Sequence, residues 1–362
     1  MTSRRLIARH PNDTVGAGRC KEPEIRASLG LGLACLLAAR ANAAPLPPPQ
    51  IDPGERLLVV APHPDDETLG AGGLIQRVLE NHGRVRVVLI TAGDGFVEAV
   101  RHETRIPQPR PSAFVAYGQE RLREARAALR VLAPEHARLQ ILGFPDGGLD
   151  GLLQAHWWRN RPERSPTTGA TDPPYDDQAL EPDVLYDGDD LRRELGRIVR
   201  DTAPTIVALP DPLDRHPDHR AASLFTLLAL QDWSERRPKK DIPDLLAYVV
   251  HWPDWPPGWN APNATPAKCL ELDEPPAVIH DGGKRVALVL TDQELGNKEA
   301  ALQKYVTQLD VMRAFLTAFL CRTEPYTVLD PEEMERVAQT IEKGVAPLPR
   351  RSPTLGHRHG PR

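Results

Sequence analysis

Short apolar runs alternate with amphipathic stretches from residue 55 to about residue 330 of the 362-residue chain. "RLLVVA" (56–61) is continuous and rich in β-branched residues, the pattern of a strand covered on both faces. The segment after Gly70 has helical periodicity, with Leu74, Val78 and Leu79 on one face. "VRVVLIT" (85–91) predicts a second strand. "QERLREARAALRVLA" (119–133) predicts a helix whose stripe is Leu122, Ala125, Leu129 and Leu132. "RLQILGF" follows as a strand, "LRRELGRIVRDTA" as a helix and "TIVALP" (205–210) as a strand. A helix opens at "HPDHRAAS", strands fall at 245–250 and 286–290, and one long helix runs from about Asp292 to Phe319. This alternation predicts right-handed crossovers and an α/β fold: a Rossmann-like, mostly parallel sheet with helices on both faces. Such sheets bind ligands outside the carboxyl ends of their strands.

Two clusters of histidine and acid sit at such ends. "PHPDDE" follows the first strand, and "HPDH" follows the strand at 205–210, about 150 residues later. Buried carboxylates need partners, because ionised groups taken out of water without one cost several kcal/mol. Pro64 biases His63 toward an extended backbone and can start a helical turn, so His63 and Asp66 can converge. Pro217 is read as the first helical residue, with His216 at the cap and His219 in the first turn. One histidine and one aspartate from the first cluster, with one histidine from the second, make a His₂–carboxylate set. Three protein ligands plus water are the inventory of a catalytic zinc. Asp65, Asp218 and His216 then remain as proton-handling groups. The competing reading is that each aspartate simply caps the next helix. Two clusters on one rim favour the metal site.

Composition narrows the classes further. Net charge is −5 with no basic block in the central part, so the footprint of a nucleic-acid binder is missing. The 38 prolines are about twice the usual share and predict long irregular loops. Residues 151–189 are the longest such excursion. Residues 1–43 read as a leader: six basic residues from Arg4 to Arg26, an apolar run Leu29–Ala39, and "ANA" ending at Ala43. That pattern predicts an exported chain, periplasmic or extracellular, with a cytoplasmic location as the alternative. The run is well short of the roughly 20 residues of a membrane span. A proline-rich linker (44–54), a domain (55–345) and a proline- and arginine-rich tail (346–362) complete the plan. His357 and His359 in the tail lack a scaffold and receive no metal role. No Cys-x-x-Cys occurs, which excludes a thiolate zinc knot, and Cys269 and Cys321 can pair in an oxidising compartment.

The "HPDDE" and "HPDH" motifs resemble those of the PIG-L (LmbE-like) family of zinc-dependent N-deacetylases, which act largely on N-acetylglucosamine conjugates. "RLREARAALRVL" with "FPDGGL" resembles the family's Arg-x-x-Glu helix and following Asp-Gly segment. "KEAALQKYVTQL" is similar to its Lys-x-x-Ala-Leu helix, and "FLCRTEPY" to its closing strand. The resemblance spans roughly residues 55 to 330 and implies one zinc per chain, held by His63, Asp66 and His219. It implies Asp65 as general base, His216 as oxyanion stabiliser or amine acid, and Asp218 as the acid that orients His216 and raises its pKa. Arg121 and Asp146 become substrate contacts. Some sugar deacetylases of the family carry a tyrosine where this chain has Asp214, and Thr307 stands in for a serine. The implied partner is an N-acetylated sugar or glycoconjugate, which Trp157 and Trp158 can stack on unless they anchor their loop. Two other classes stay open: a carbohydrate-binding protein without turnover, and a metal-assisted hydrolase of another bond such as a phosphoester. Retention of both Asp65 and His216 argues against the first. Three clear ligands argue against two-metal phosphoester chemistry.

Overall fold

The computed structural model describes residues 46–134, 137–175, 183–235, 237–238, 242–253, 255–257, 259 and 284–330, with residues 332, 335, 336 and 339. The expectations for the leader, the tail and Cys269 lie outside the described residues; Cys321 is disulfide-bonded. Among the described residues seven strands form one sheet: β1 (Arg56–Ala61), β2 (Arg84–Thr91), β3 (Ala137–Phe144), β4 (Ile206–Pro210), β5 (Asp244–Tyr248), β6 (Lys284–Val289) and β7 (Thr323–Leu329). Their order is β3-β2-β1-β4-β5-β7-β6. The first five are parallel, while β7 runs antiparallel to β5 and β6 antiparallel to β7.

Helices α1 (Asp66–Glu80), α2 (Val97–Thr104), α3 (Pro111–Leu132), α4 (Leu149–Gln154), α5 (Gly188–Thr202), α6 (Pro217–Ser234), α7 (Asp292–Leu302) and α8 (Val306–Thr317) cover the sheet. Strand alternation divides the core into two layers. Leu57, Val59 and Ala61 of β1 pack with Leu74, Leu122 and Leu302 of α1, α3 and α7. Leu58 and Val60 face the other way, toward Leu195 and Phe225 of α5 and α6. The connection after β1 leads outward to β2 and β3, whereas β4 leads to β5 on the opposite side. The strand order therefore reverses between β1 and β4, which opens a crevice at their carboxyl ends.

The long helix expected over 292–319 is two helices, broken at Gln303–Tyr305. The cause is long-range. Glu124 of α3 accepts the Thr307 N–H at 2.9 Å and its hydroxyl at 2.6 Å, so α8 gets its N-terminal cap from another helix. α1 is likewise interrupted, at Ala71 (φ −144°). Glu324 of β7 accepts from the N–H groups of Gly73 and Leu74 beyond the break. Lys298 of α7 donates to the Leu69 carbonyl and pairs with Glu324 at 2.6 Å. The "KEAALQKY" and "TEPY" residues thus fill the defect in α1 with a satisfied ion pair. Gly70 lies against the Tyr248 ring, where any Cβ would collide.

The described residues of the 151–189 excursion include a buried anchor. Trp157 is buried and stacks on Phe225 of α6 at 5.7 Å and 13°, an apolar anchor for the loop. Among the described residues no helix is long and apolar enough to cross a membrane.

Candidate active site

β1 and β4 deliver both clusters to the switch-point crevice. His63 Nδ1 and His219 Nε2 each lie 3.2 Å from the same oxygen, Asp66 Oδ2. The His63 backbone N–H also donates to that oxygen at 2.9 Å, which holds the carboxylate between the two rings. On its other side, His63 Nε2 faces Asp146 Oδ1 at 3.2 Å and Asp218 Oδ2 at 3.3 Å. Among the described residues three compact donor groupings result: His63/His216/His219, Asp66/His219/His251 and His63/Asp146/Asp218. None of them holds His63, Asp66 and His219 together, although each shares one or two members with that expected set.

The residues present fit a divalent cation. Both ring nitrogens of the fully buried His219 lack a well-directed hydrogen bond, although Asp66 and Asp214 oxygens stand 3.2 and 3.4 Å away. Buried polar atoms without such a bond call for a missing partner. Burial opposes charge on His219, yet Asp66 and Asp214 raise its pKa to about 9. Burial likewise opposes charge on His63, which Asp146, Asp218 and Asp66 push well above its ordinary value. The carboxylates that stabilise these imidazolium charges would stabilise a metal ion in the same place.

Asp65 occupies the N-cap position of α1 without a side-chain capping bond, and its φ of +118° is a backbone conformation rare for a residue with a Cβ. Arg121 is buried beneath it and donates to Asp65 Oδ2 at 3.1 Å, to Pro64 O at 2.7 Å and to Gly93 O at 2.7 Å. Its neighbour Arg123 is the surface charge, paired with Glu120. Burial lifts the Asp65 pKa to about 8 against the pull of Arg121, with Asp66 adding repulsion. Asp146 is held by the Gly95 N–H at 2.6 Å, and it is kept ionised chiefly by His63 against the effect of burial.

His216 is the N-cap of α6, with Pro217 at the first helical position, as expected. The expected link from Asp218 to His216 is different in kind. The Asp218 carboxylate turns away to accept from Gly147 N (2.6 Å) and Leu149 N (3.1 Å) and to face His63. His216 Nδ1 instead accepts the Asp218 backbone N–H at 3.2 Å. An N-cap side chain reaches back to the first turn's N–H groups, which directs its contact to the backbone. With Nδ1 accepting, the proton of a neutral ring resides on Nε2. Burial, then the charges of His63 and His219, lower its pKa to about 4 and outweigh the raising effect that Asp218 exerts as expected.

Two residues acquire roles that the motifs did not disclose. Asp214, at the position where some of the family carry tyrosine, is fully buried. It accepts from His216 N at 2.9 Å and from Val250 N and His251 N at 3.0 Å, besides facing His219 Nδ1. It faces the Nδ1 of a candidate ligand and does not line the cavity. His251, just past β5, stacks on Phe315 and meets the rings of His216 and His219 at 5.0 and 4.8 Å. Its signal was a histidine directly behind the "LLAYVV" run.

A cavity of about 270 Å³ opens onto this cluster, lined by His63, Asp65, Asp66, Arg121, Asp146 and His216 on the polar side. Leu69, Phe96, Val250, Met312 and Phe315 form the apolar side. His219 and Asp218 lie behind the lining. A larger cavity of about 650 Å³, bordered by His102, Glu120 and Lys304, contains none of the expected residues.

Fold and cluster together describe an α/β protein with a metal-capable site of histidines and aspartates at its topological switch point. Residues 58–230 match the PIG-L family, described as GlcNAc-PI de-N-acetylase, and the chain carries a PIG-L family domain. It is 27% identical over 277 residues to a 1D-myo-inositol 2-acetamido-2-deoxy-alpha-D-glucopyranoside deacetylase of Tsukamurella paurometabola, covering 71% of this chain and 84% of that one. The enzyme of the same description from Streptomyces avermitilis is 27% identical over 327 residues, covering 82% and 99%. Among solved structures, the A40926 pseudoaglycone deacetylase Dbv21 aligns with a TM-score of 0.47 and 19% identity, over 76% of this chain and 97% of that one.

Proposed function

We propose that this protein is a metal-dependent amidohydrolase that removes the acetyl group from a 2-acetamido sugar conjugate. The observation that carries this reading is Asp66 Oδ2 standing 3.2 Å from both His63 Nδ1 and His219 Nε2 in the wall of the cavity, within a PIG-L domain. His63, Asp66 and His219 would hold one zinc, which when bound polarises the acyl carbonyl and acidifies water. Asp65 takes the proton from the attacking water. A cation among its neighbours would draw its raised pKa back toward neutrality, where a general base works best. The neutral His216 ring offers its Nε2–H to the oxyanion that develops on the acyl oxygen. Asp65 then passes its proton to the departing nitrogen, and a free amine and acetate result. Arg121 keeps Asp65 in place, and Asp146 lines the cavity where sugar hydroxyls would lie.

At about 270 Å³ the cavity lies just under the usual range for small-molecule sites, room for one sugar ring with its acyl group. The named relatives act on such a sugar joined to inositol, and that conjugate is the first substrate to try. The test is amine release from N-acetylated sugars, with and without chelator, alongside metal analysis. One zinc per chain and chelator-sensitive release are expected. Release that survives complete metal removal, or two essential metals per chain, would overturn the mechanism.

A further inference from the structure

Resting on that reading, we infer that Glu67 and Tyr305 are positioning residues for the general base, acting through the backbone of Asp65. Neither is assigned a role by the two metal-site motifs, and both are almost completely buried. The peptide unit between Pro64 and Asp65 is held at both ends. Its carbonyl accepts from Arg121 at 2.7 Å, and its N–H donates to Glu67 Oε2 at 3.2 Å. The other Glu67 oxygen, Oε1, accepts from Thr68 Oγ1 at 2.6 Å and from the Tyr305 hydroxyl.

This clamp sits where the backbone needs it. At φ +118° Asp65 occupies a region that costs of the order of 1–3 kcal/mol and persists only when its surroundings over-determine it. Arg121 fixes the side chain and the preceding carbonyl, while Glu67 fixes the N–H. Tyr305 is the residue at which the helix expected over 292–319 breaks, and the break brings its hydroxyl to Glu67. The motif "KEAALQKY" therefore reaches the reaction centre through one hydrogen-bond relay, Tyr305 to Glu67 to the Asp65 peptide. Burial raises the Glu67 pKa, against the opposing effect of the Thr68 and Tyr305 hydroxyls. The relay stands on the hydrogen bonds themselves.

The test compares Tyr305→Phe, Glu67→Ala and Glu67→Gln in the full chain loaded with zinc. Misplacing a catalytic group by about 1 Å costs about 100-fold. Glu67→Ala should therefore lower kcat by about 100-fold and Tyr305→Phe by about 10-fold, with KM and zinc per chain held within about twofold. Gln can keep an oxygen on the Asp65 N–H and turn its amide toward the hydroxyls, so Glu67→Gln should recover at least tenfold of what Glu67→Ala loses. Hydrogen exchange across residues 62–69 gives a second readout that needs no substrate; it should quicken in Tyr305→Phe and Glu67→Ala. Unaltered kcat in Glu67→Ala, a rise in KM alone, or failure of Gln to recover activity would overturn the inference. If the parent releases no amine from any acylated sugar, the proposed function fails, and exchange alone decides the relay: unchanged exchange overturns it.

Discussion

Asp214→Asn isolates how the site holds His219. The substitution is isosteric and replaces one carboxylate oxygen by NH₂. With the amide oxygen at the Oδ2 position, the NH₂ group meets the His216 N–H across 2.9 Å. Reversed, it meets the Val250 and His251 N–H groups across 3.0 Å. Either orientation sets donor against donor, so at least one buried N–H loses its acceptor, a cost of about 1–3 kcal/mol. His219 also loses the negative charge that faces its Nδ1 at 3.4 Å. Removing the orienting partner of a ligating histidine typically weakens metal binding by about 10–100-fold, equivalent to about 1.4–2.7 kcal/mol. Zinc affinity would be measured by competition with a chromophoric chelator, and stability by urea unfolding of the same samples. The expected result is a weaker zinc Kd by that factor together with a stability loss of about 1–3 kcal/mol. A variant that loses stability but binds zinc as tightly as the parent would show that Asp214 only ties the 249–251 segment and does not orient a ligand.

Other outcomes follow from the same geometry. Asp65→Asn should keep zinc near one per chain while turnover falls by about 10²–10⁴-fold, whereas Asp66→Asn should lose zinc and regain activity in excess metal; the opposite pattern of metal contents would exchange their roles. Burial and the nearby Asp146 raise the Asp94 pKa to about 7, although Tyr175 donates to its carboxylate. A folded-state pKa above the unfolded one adds stability that is full below about pH 4 and lost as pH rises through 7. Urea unfolding at pH 5 and pH 8 should therefore show the parent losing on the order of 2 kcal/mol more than Asp94→Asn; parallel losses would contradict the shift. From the basic start and the Leu29–Ala39 run we propose export, with the mature N-terminus near Ala44. N-terminal sequencing of protein recovered from its native host checks this, and an intact leader on cytoplasmic protein would refute it.

The parts legible in the sequence are those governed by local chemistry. β1 matches the apolar run at 56–61, because a continuous apolar run suits a strand covered on both faces. His216 caps α6 with Pro217 at its first position, because proline's fixed φ and missing N–H favour that site. The rule that ligands sit at strand ends places both clusters on one rim from the sequence alone. The antiparallel pair β7 and β6 was less legible, since pairing direction depends on how the chain returns to the sheet.

Contacts between distant segments decided the rest. No periodicity at 292–319 signals a break, because the groups that stabilise it are Glu124 and Glu67, about 180 and 240 residues away in the chain. His251 looks like the end of a strand and Asp214 like a loop acid until β4 and β5 align side by side. Asp218 read as the partner of His216, yet the Gly147 and Leu149 N–H groups claim its carboxylate. By itself the sequence determined which residue types collect at the crevice, because periodicity and capping act over a few residues. Only the tertiary structure decided which donor meets which acceptor. Hydrogen bonds and ion pairs require approach to about 3 Å, and packing alone brings residues 63, 146, 214, 219 and 251 that close.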